Sequence, residues 1–413
     1  MFLRRGKWIN TDAMRPAPRF GLLALAYLLY WTLGLPWYFD LGVALVALPF
    51  LARCGTSKCA ALLGSMVIAL AAAETGVRTL MPGVTPYYRE HEKWQHDFSR
   101  YERNVVDTID MPYGDLIAMA PSLAPLLAEP RTVEFRTDAA GMRNSADYHG
   151  QELILVGDSF VVGNGTTQAQ ALPEILLREH GLDTYSIAFP CGPKGYFLGS
   201  RAFLAGHPDA RFLFFYFEGN DFESPAAPTA TVQEPNRYDR FRGRIRKLLY
   251  PTLRYPIAFF GMSRRLQRRL LEAGEEQPAL VTVHEIGGRS VGFFTEYIRM
   301  AQSAEVSFPA RAAPIVLART VCVFFIPTKY RVYKEWIGDG AALPEPSPAL
   351  ETLRSIHEPR GIAVVDLTPV LRERARELLT SGETVFWRDD THWNQLGIRA
   401  AAEVIARSAR GAR

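Results

Sequence analysis

Cysteine is scarce, with four in 413 residues. A chain of this length can bury a sizeable core without covalent staples, so a disulfide-built scaffold is excluded. Cys54 and Cys59 have C-x4-C spacing, a poor match for a metal or redox motif. Cys191 and Cys322 stand far apart in sequence and can pair only if the fold brings them together. Cys322 sits in an apolar run, which favours a buried free thiol. Charge of one sign is also missing. The formal net charge is +4, which by itself does not point to a nucleic-acid partner. A Walker A loop and a dinucleotide fingerprint are absent, which argues against phosphate binding. The G-x-S-x-G elbow is absent too, because Val161 stands at its last position. There is no repeat and no low-complexity block, and no motif calls for a cofactor or a metal.

Apolar residues are plentiful and unevenly spread. Phe20–Phe39 contains no charged residue and matches the about 20 residues that span a bilayer. Two shorter apolar runs follow, Leu41–Ala52 and Ala60–Ala73. Each can cross by recruiting flanking residues while Arg53 and Lys58 snorkel to the interface; the alternative is a re-entrant hairpin or an interfacial helix. The start is basic (Arg4, Arg5, Lys7, Arg15, Arg19), as is the 53–58 loop, whereas Trp37-Tyr38-Phe39-Asp40 has neither Lys nor Arg. The positive-inside rule puts the N-terminus in the cytoplasm. Three crossings place everything after about Arg78 in a bacterial periplasm; two crossings reverse this.

Residues 81–150 are polar and proline-punctuated, and read as a linker leading into an accessory segment. An α/β pattern then runs over residues 151–410. Strands are expected at 152–156, 184–189, 211–217, 320–326 and 362–366. Helices are expected at 172–180, 196–205, 347–357, 370–379 and 397–409. Near-continuous apolar strands alternating with helices indicate a parallel sheet covered on both faces. An insertion at about 222–313 interrupts the pattern and carries an arginine-rich stretch, 237–271. Three readings of that stretch stand: an amphipathic segment on anionic lipid, a groove for an acidic polysaccharide, or a solvated helical face.

The chemistry starts at Ser159. A serine directly after a buried strand, at a glycine-containing turn, is presented at the carboxyl edge of the sheet, where open α/β sheets bind ligands. It needs a base. Arg388-Asp389-Asp390-Thr391-His392-Trp393-Asn394 lies just before the last helix. An aspartate two or three residues before His392 can accept its Nδ1–H and orient the ring; Asp390 and Asp389 both qualify. Asn220, in Glu218-Gly219-Asn220-Asp221, follows another strand and can donate to an oxyanion. Gly192 follows a third, and its N–H can approach a substrate with no side chain in the way.

Taken together, Ser159 in Gly-Asp-Ser, Gly192, Asn220 in Gly-Asn-Asp, and His392 with its upstream aspartate resemble the SGNH/GDSL hydrolase family over about residues 150–410. Within the family, Asp-Thr-His-Trp-Asn at 390–394, Pro327-Thr328-Lys329-Tyr330 and Gly141-Met142-Arg143 are similar to the alginate O-acetyltransferase-like branch. In alginate acetyltransferases themselves the Asp-His pair precedes the serine; here it follows. The resemblance implies a flavodoxin-like three-layer α/β sandwich with a parallel sheet, preceded here by an N-terminal membrane anchor over residues 1–80. It implies a catalytic triad of Ser159, His392 and Asp390, the last favoured over Asp389 because Trp and Asn follow the histidine as in that branch. It also implies an oxyanion hole from the Ser159 and Gly192 N–H groups and the Asn220 side chain.

The expected activity is serine esterase or O-acyltransferase chemistry on acetyl groups of an exported polysaccharide. The expected setting is the inner membrane, with the catalytic domain in the periplasm and other polysaccharide-biosynthesis proteins as further partners. Two competing readings are a catalytically silent glycan-binding scaffold and a lipid-directed esterase.

Overall fold

Two strands set the frame. β5 (Arg211–Phe217) and β10 (Thr320–Ile326) are apolar almost throughout and pair in parallel. Side chains alternate across a strand, so each strand feeds two cores. Leu213, Phe215 and Phe217 point into one, and Phe212, Phe214 and Tyr216 into the other. Phe324 and Ile326 follow the first face, Val323 and Phe325 the second.

The computed structural model describes residues 100–223, 230–231, 279–338 and 342–411, all within one unit of the chain. The expected membrane segments, Cys54, Cys59 and the arginine-rich stretch 237–271 lie outside those residues. Among the described residues no helix is long and apolar enough to cross a membrane. In chain order the strands are β1 (Val106–Met111), β2 (Arg131–Arg136), β3 (Leu153–Val156), β4 (Thr184–Ser186), β5, β6 (Ala230–Thr231), β7 (Val281–Ile286), β8 (Arg289–Phe294), β9 (Ala310–Arg311), β10 and β11 (Ala363–Asp366). The helices that matter below are α1 (Asp115–Met119), α2 (Ser159–Val162), α3 (Leu172–His180), α4 (Pro193–Gly206), α5 (Thr295–Gln302), α6 (Lys329–Tyr333), α7 (Pro348–His357), α8 (Thr368–Leu379) and α9 (Gln395–Gly411).

The main sheet is parallel, in the order β11-β10-β5-β3-β4. Counting only its own strands, this is the 2-1-3-4-5 order of flavodoxin-like folds, whose direction of winding switches between strands 1 and 3. Here that crevice opens between β3 and β5. Helices α3, α8 and α9 pack on one face, α4 and α7 on the other, making the expected three layers. α9 shows why: Ile398, Ala401, Ala402, Ile405, Ala406 and Ala409 fall at helical spacing and all are buried.

Two antiparallel hairpins lie outside the main sheet, β1–β2 and β7–β8. The first belongs to the stretch read as linker and accessory segment, the second to the insertion. Each of their strands has six residues, and burial differs among them: β1 is exposed or part-buried up to Met111, whereas β8 is buried from Ser290 to Phe293. The expected strand 184–189 is shorter than its apolar run: β4 ends at Ser186, and the chain turns through Phe189 and Cys191 toward α4. Cys191 and Cys322 are both free. Cys322 is buried in β10, as its apolar run implies.

Candidate active site

Ser159 stands at the first position of α2, directly past the end of β3. Asp158 caps that helix by accepting the Phe160 N–H at 2.9 Å. The helix is too short to be stable alone, and Arg143 holds its far end. The Arg143 guanidinium, buried, donates to the carbonyls of Val162, Gly163 and Thr166 at 3.1, 2.8 and 2.7 Å. The hydroxyl of Ser159 is therefore fixed at the carboxyl edge, in the crevice at the switch point.

His392 reaches it from the loop before α9. Its Nε2 lies 2.7 Å from Ser159 Oγ, and its Nδ1 lies 2.6 Å from Asp390 Oδ1. All three side chains are buried. A hydroxyl, an imidazole and a carboxylate in that line can pass a proton from the serine to the ring, with the carboxylate stabilising the imidazolium. Both aspartates that precede the histidine are buried, but only Asp390 faces the ring. Asp389 turns away and accepts the N–H groups of Gly114 and Glu129 at 2.8 and 2.9 Å.

The remaining residues of the Asp-Thr-His-Trp-Asn stretch each have a bond that explains their type. Thr391 donates its N–H and hydroxyl to the Asp115 carboxylate. The Trp393 indole N–H donates to the carbonyl of Phe160, the residue after Ser159, at 3.0 Å. Asn394 Oδ1 accepts the N–H groups of Leu396 and Gly397, starting α9. The motif thus joins the serine turn, the accessory segment and the last helix.

Three residues in or beside this network were not among the expected ones. Arg131, on β2, donates to Asp389 Oδ1 and Asp390 Oδ2, both at 2.9 Å. Asp115, on α1, is buried and lies 3.8 Å from His392 Nδ1 through Oδ2. Lys329, at the start of α6, donates to the carbonyls of Trp387, Arg388 and Asp390 at 2.7, 3.2 and 3.2 Å. Gly114 has no room for a side chain: a Cβ there would lie 2.6 Å from Asp390 Cβ. The sequence signal for Lys329 was its Pro-Thr-Lys-Tyr setting after a strand; Asp115 and Arg131 had none, because their partners lie more than 250 positions away.

The electrostatics follow from this packing. Burial raises the Asp390 carboxyl, but the His392 ring and the Arg131 guanidinium outweigh it and hold the group well below the usual carboxylate range. Asp389 is raised instead: burial and the neighbouring Asp390 charge exceed what Arg131 offsets. Burial lowers Lys329 to about 8 against the pull of Glu129, Asp389, Asp390 and Asp115. Asp115, Asp390 and His392 offer ligand atoms within 4.8 Å of one another. Each is already engaged, on Thr391, on the ring and Arg131, and on Ser159, so a cation would have to displace those bonds.

The two other expected residues border the same edge. Gly192 precedes α4 past the end of β4, is exposed, and faces open space on its Cβ side. Asn220 follows β5 and is exposed. Its neighbour Asp221 is buried and accepts the Phe217 N–H at 2.8 Å and the Tyr196 hydroxyl at 2.9 Å, which pins the loop. Burial and the nearby Asp158 raise the Asp221 carboxyl well above its ordinary value. β4, β3 and β5 are neighbouring parallel strands, so the three loops leave the same edge of the sheet.

A serine, a histidine and an aspartate are thus aligned at the carboxyl edge of a parallel α/β sheet, an arrangement that recurs on unrelated folds. Residues 317–413 match the model of the SGNH hydrolase-like domain of the acetyltransferase AlgX, and that part of the chain is similar to it. The matched residues include Lys329, Asp390 and His392; Ser159, Gly192 and Asn220 precede them. Among solved structures, a putative lipolytic protein of the G-D-S-L family from Desulfitobacterium hafniense DCB-2 is similar at 11% identity and a TM-score of 0.28, covering 62% of this chain and 99% of that one. No curated protein matches.

Proposed function

We propose that this protein is a serine-dependent enzyme of acyl-ester chemistry that moves O-acetyl groups to or from an exported or cell-surface polysaccharide. The observation that carries this reading is the line Asp390–His392–Ser159, with contacts of 2.6 and 2.7 Å. The match of residues 317–413 to the domain of an acetyltransferase supports the acetyl part.

In this reading His392 Nε2 takes the Ser159 proton as Oγ bonds to the acyl carbon. Asp390 keeps the ring oriented and stabilises its positive charge. The oxyanion that forms is met by the N–H groups of Ser159 and Gly192 and by the Asn220 side chain. The carbon–oxygen bond to the first alcohol breaks, and His392 returns the proton to that alcohol. Ser159 then carries the acyl group. Water, or a sugar hydroxyl, gives its proton to His392 and attacks the acyl carbon, freeing Ser159. The first outcome is an esterase and the second a transferase.

The apolar runs between residues 20 and 73 act as a membrane anchor in this proposal, and the basic N-terminus faces the cytoplasm. The catalytic domain then works in the periplasm, next to other proteins that build or export the polymer. The test is an assay of acetyl release to water against acetyl transfer to an oligosaccharide, wild type beside Ser159→Ala. Ser159-dependent turnover by either route supports the proposal. Turnover by neither, with unchanged polysaccharide acetylation in cells carrying Ser159→Ala, sinks it. A reporter fused after Arg413 should be active in the periplasm; activity in the cytoplasm removes the three-span topology.

A further inference from the structure

The backbone that leads up to His392 is held carbonyl by carbonyl. Asp389 O accepts the Leu116 N–H at 3.1 Å, and Arg388 O accepts the Gly292 N–H at 2.9 Å. Lys329 Nζ takes the Trp387, Arg388 and Asp390 carbonyls together, at 2.7, 3.2 and 3.2 Å. An ammonium has three donors and no acceptor, so the whole capacity of this side chain is spent on one loop. A backbone N–H or a hydroxyl would bring one donor to the same point, and an amide two. Lys329 is itself buried, with the Phe293 ring 5.2 Å from its Nζ.

Two of those carbonyls bear on the relay directly. Asp390 is gripped at its carbonyl by Lys329 and at Oδ2 by Arg131, which leaves Oδ1 on the His392 ring at 2.6 Å. Trp387, held at its carbonyl, donates its own N–H to the His392 carbonyl at 3.2 Å. One ammonium therefore reaches the ring through Asp390 and the backbone of His392 through Trp387. We infer that Lys329 is a positioning residue for the Ser159 reaction: its ammonium fixes the backbone of residues 387–390 and thereby aims Asp390 and His392. The inference rests on the acyl-ester reading above.

The same contacts make the positioning depend on pH. The charges around the ammonium are Asp115 on α1, Glu129 just before β2, and Asp389 and Asp390 in the loop, all of which favour its charged form. Arg131 and Arg388 pair with three of these carboxylates. Burial outweighs their pull and lowers Lys329 to about 8. After losing a proton the amine has two donors for three carbonyls. The loop then loosens, and kcat falls as the pH rises through that value.

The test measures kcat and KM of the full chain on p-nitrophenyl acetate from about pH 6 to about pH 10. Lys329→Met has similar length and no donors. Its kcat should fall about 10²-fold, the cost of a roughly 1 Å misplacement, while KM stays within about twofold because substrate binding is untouched. Wild-type kcat should decline above about pH 8, and that decline should be missing in the variant. A variant that folds by circular dichroism and keeps either the wild-type kcat or the alkaline decline overturns the inference and leaves the acyl-ester reading standing. If Lys329→Met does not fold, wild type decides: kcat that stays level to about pH 10 overturns the inference, and a decline above about pH 8 with KM unchanged supports it. No Ser159-dependent turnover at any pH overturns the acyl-ester reading and the role of Lys329 with it.

Discussion

Asp389 and Asp390 are adjacent, both buried and both bonded to Arg131, yet they face different partners. Asp390 touches the ring, whereas Asp389 ties Gly114 and Glu129 to the loop. Substitution should separate the two roles. Asp390→Asn keeps the shape but removes the charge that stabilises the imidazolium, and kcat should fall by about 10⁴-fold. Asp389→Asn should leave most of kcat and lower stability by about 1–3 kcal/mol, the range for a weakened buried acceptor. Steady-state kinetics beside urea unfolding of each variant distinguishes these outcomes; equal losses of kcat would put both carboxylates in the relay. The sequence left this choice open because both spacings from His392 allow the bond. Only the turn of the loop, set by Gly114 packing on Asp390 and by Lys329 gripping three carbonyls, decides it.

The β1–β2 hairpin and α1 are small, but they carry Arg131 and Asp115 to the back of the triad. Arg131 pairs directly with two buried carboxylates. Its removal takes from both their guanidinium partner, and breaking a buried pair from one side costs about 3–5 kcal/mol. Arg131→Met is therefore expected to unfold at markedly lower denaturant than wild type; a midpoint unchanged in urea would show that the pair contributes little. Helix α6 works similarly on the opposite flank. Thr328, which caps it, donates to Glu218, and Arg331 pairs with the same carboxylate at 2.7 Å. One short helix thus braces the β5 loop through Glu218 and the histidine loop through Lys329. The major strands and helices were legible because each is a continuous apolar run or a periodic stripe. The hairpins were not, since their strands neither form continuous apolar runs nor alternate cleanly between polar and apolar residues, and nothing local marks what their side chains will touch.

At the scale of the whole molecule, the parallel sheet follows from a few sequence facts: strands apolar on both faces and helices between them. The switch point then places the site. Stability should also carry one traceable pH signature. His357, at the end of α7, is buried with neither ring nitrogen hydrogen-bonded, and burial together with Arg360 lowers it to about 4. Between pH 6.5 and about 4 the unfolded chain binds a proton there that the folded chain does not. Stability therefore falls as pH drops through that window, by about 3 kcal/mol from this residue. His357→Leu should flatten the slope of unfolding free energy against pH over that range; an unchanged slope would assign the effect to other groups.

The central claim is that Ser159 is the nucleophile. Its most direct measurement is intact-mass and peptide mapping of the full chain after reaction with a fluorophosphonate. The account predicts one adduct per chain, located on Ser159, forming far more slowly in His392→Ala and absent in Ser159→Ala. An unlabelled Ser159 in protein that releases or transfers acetyl groups would contradict it.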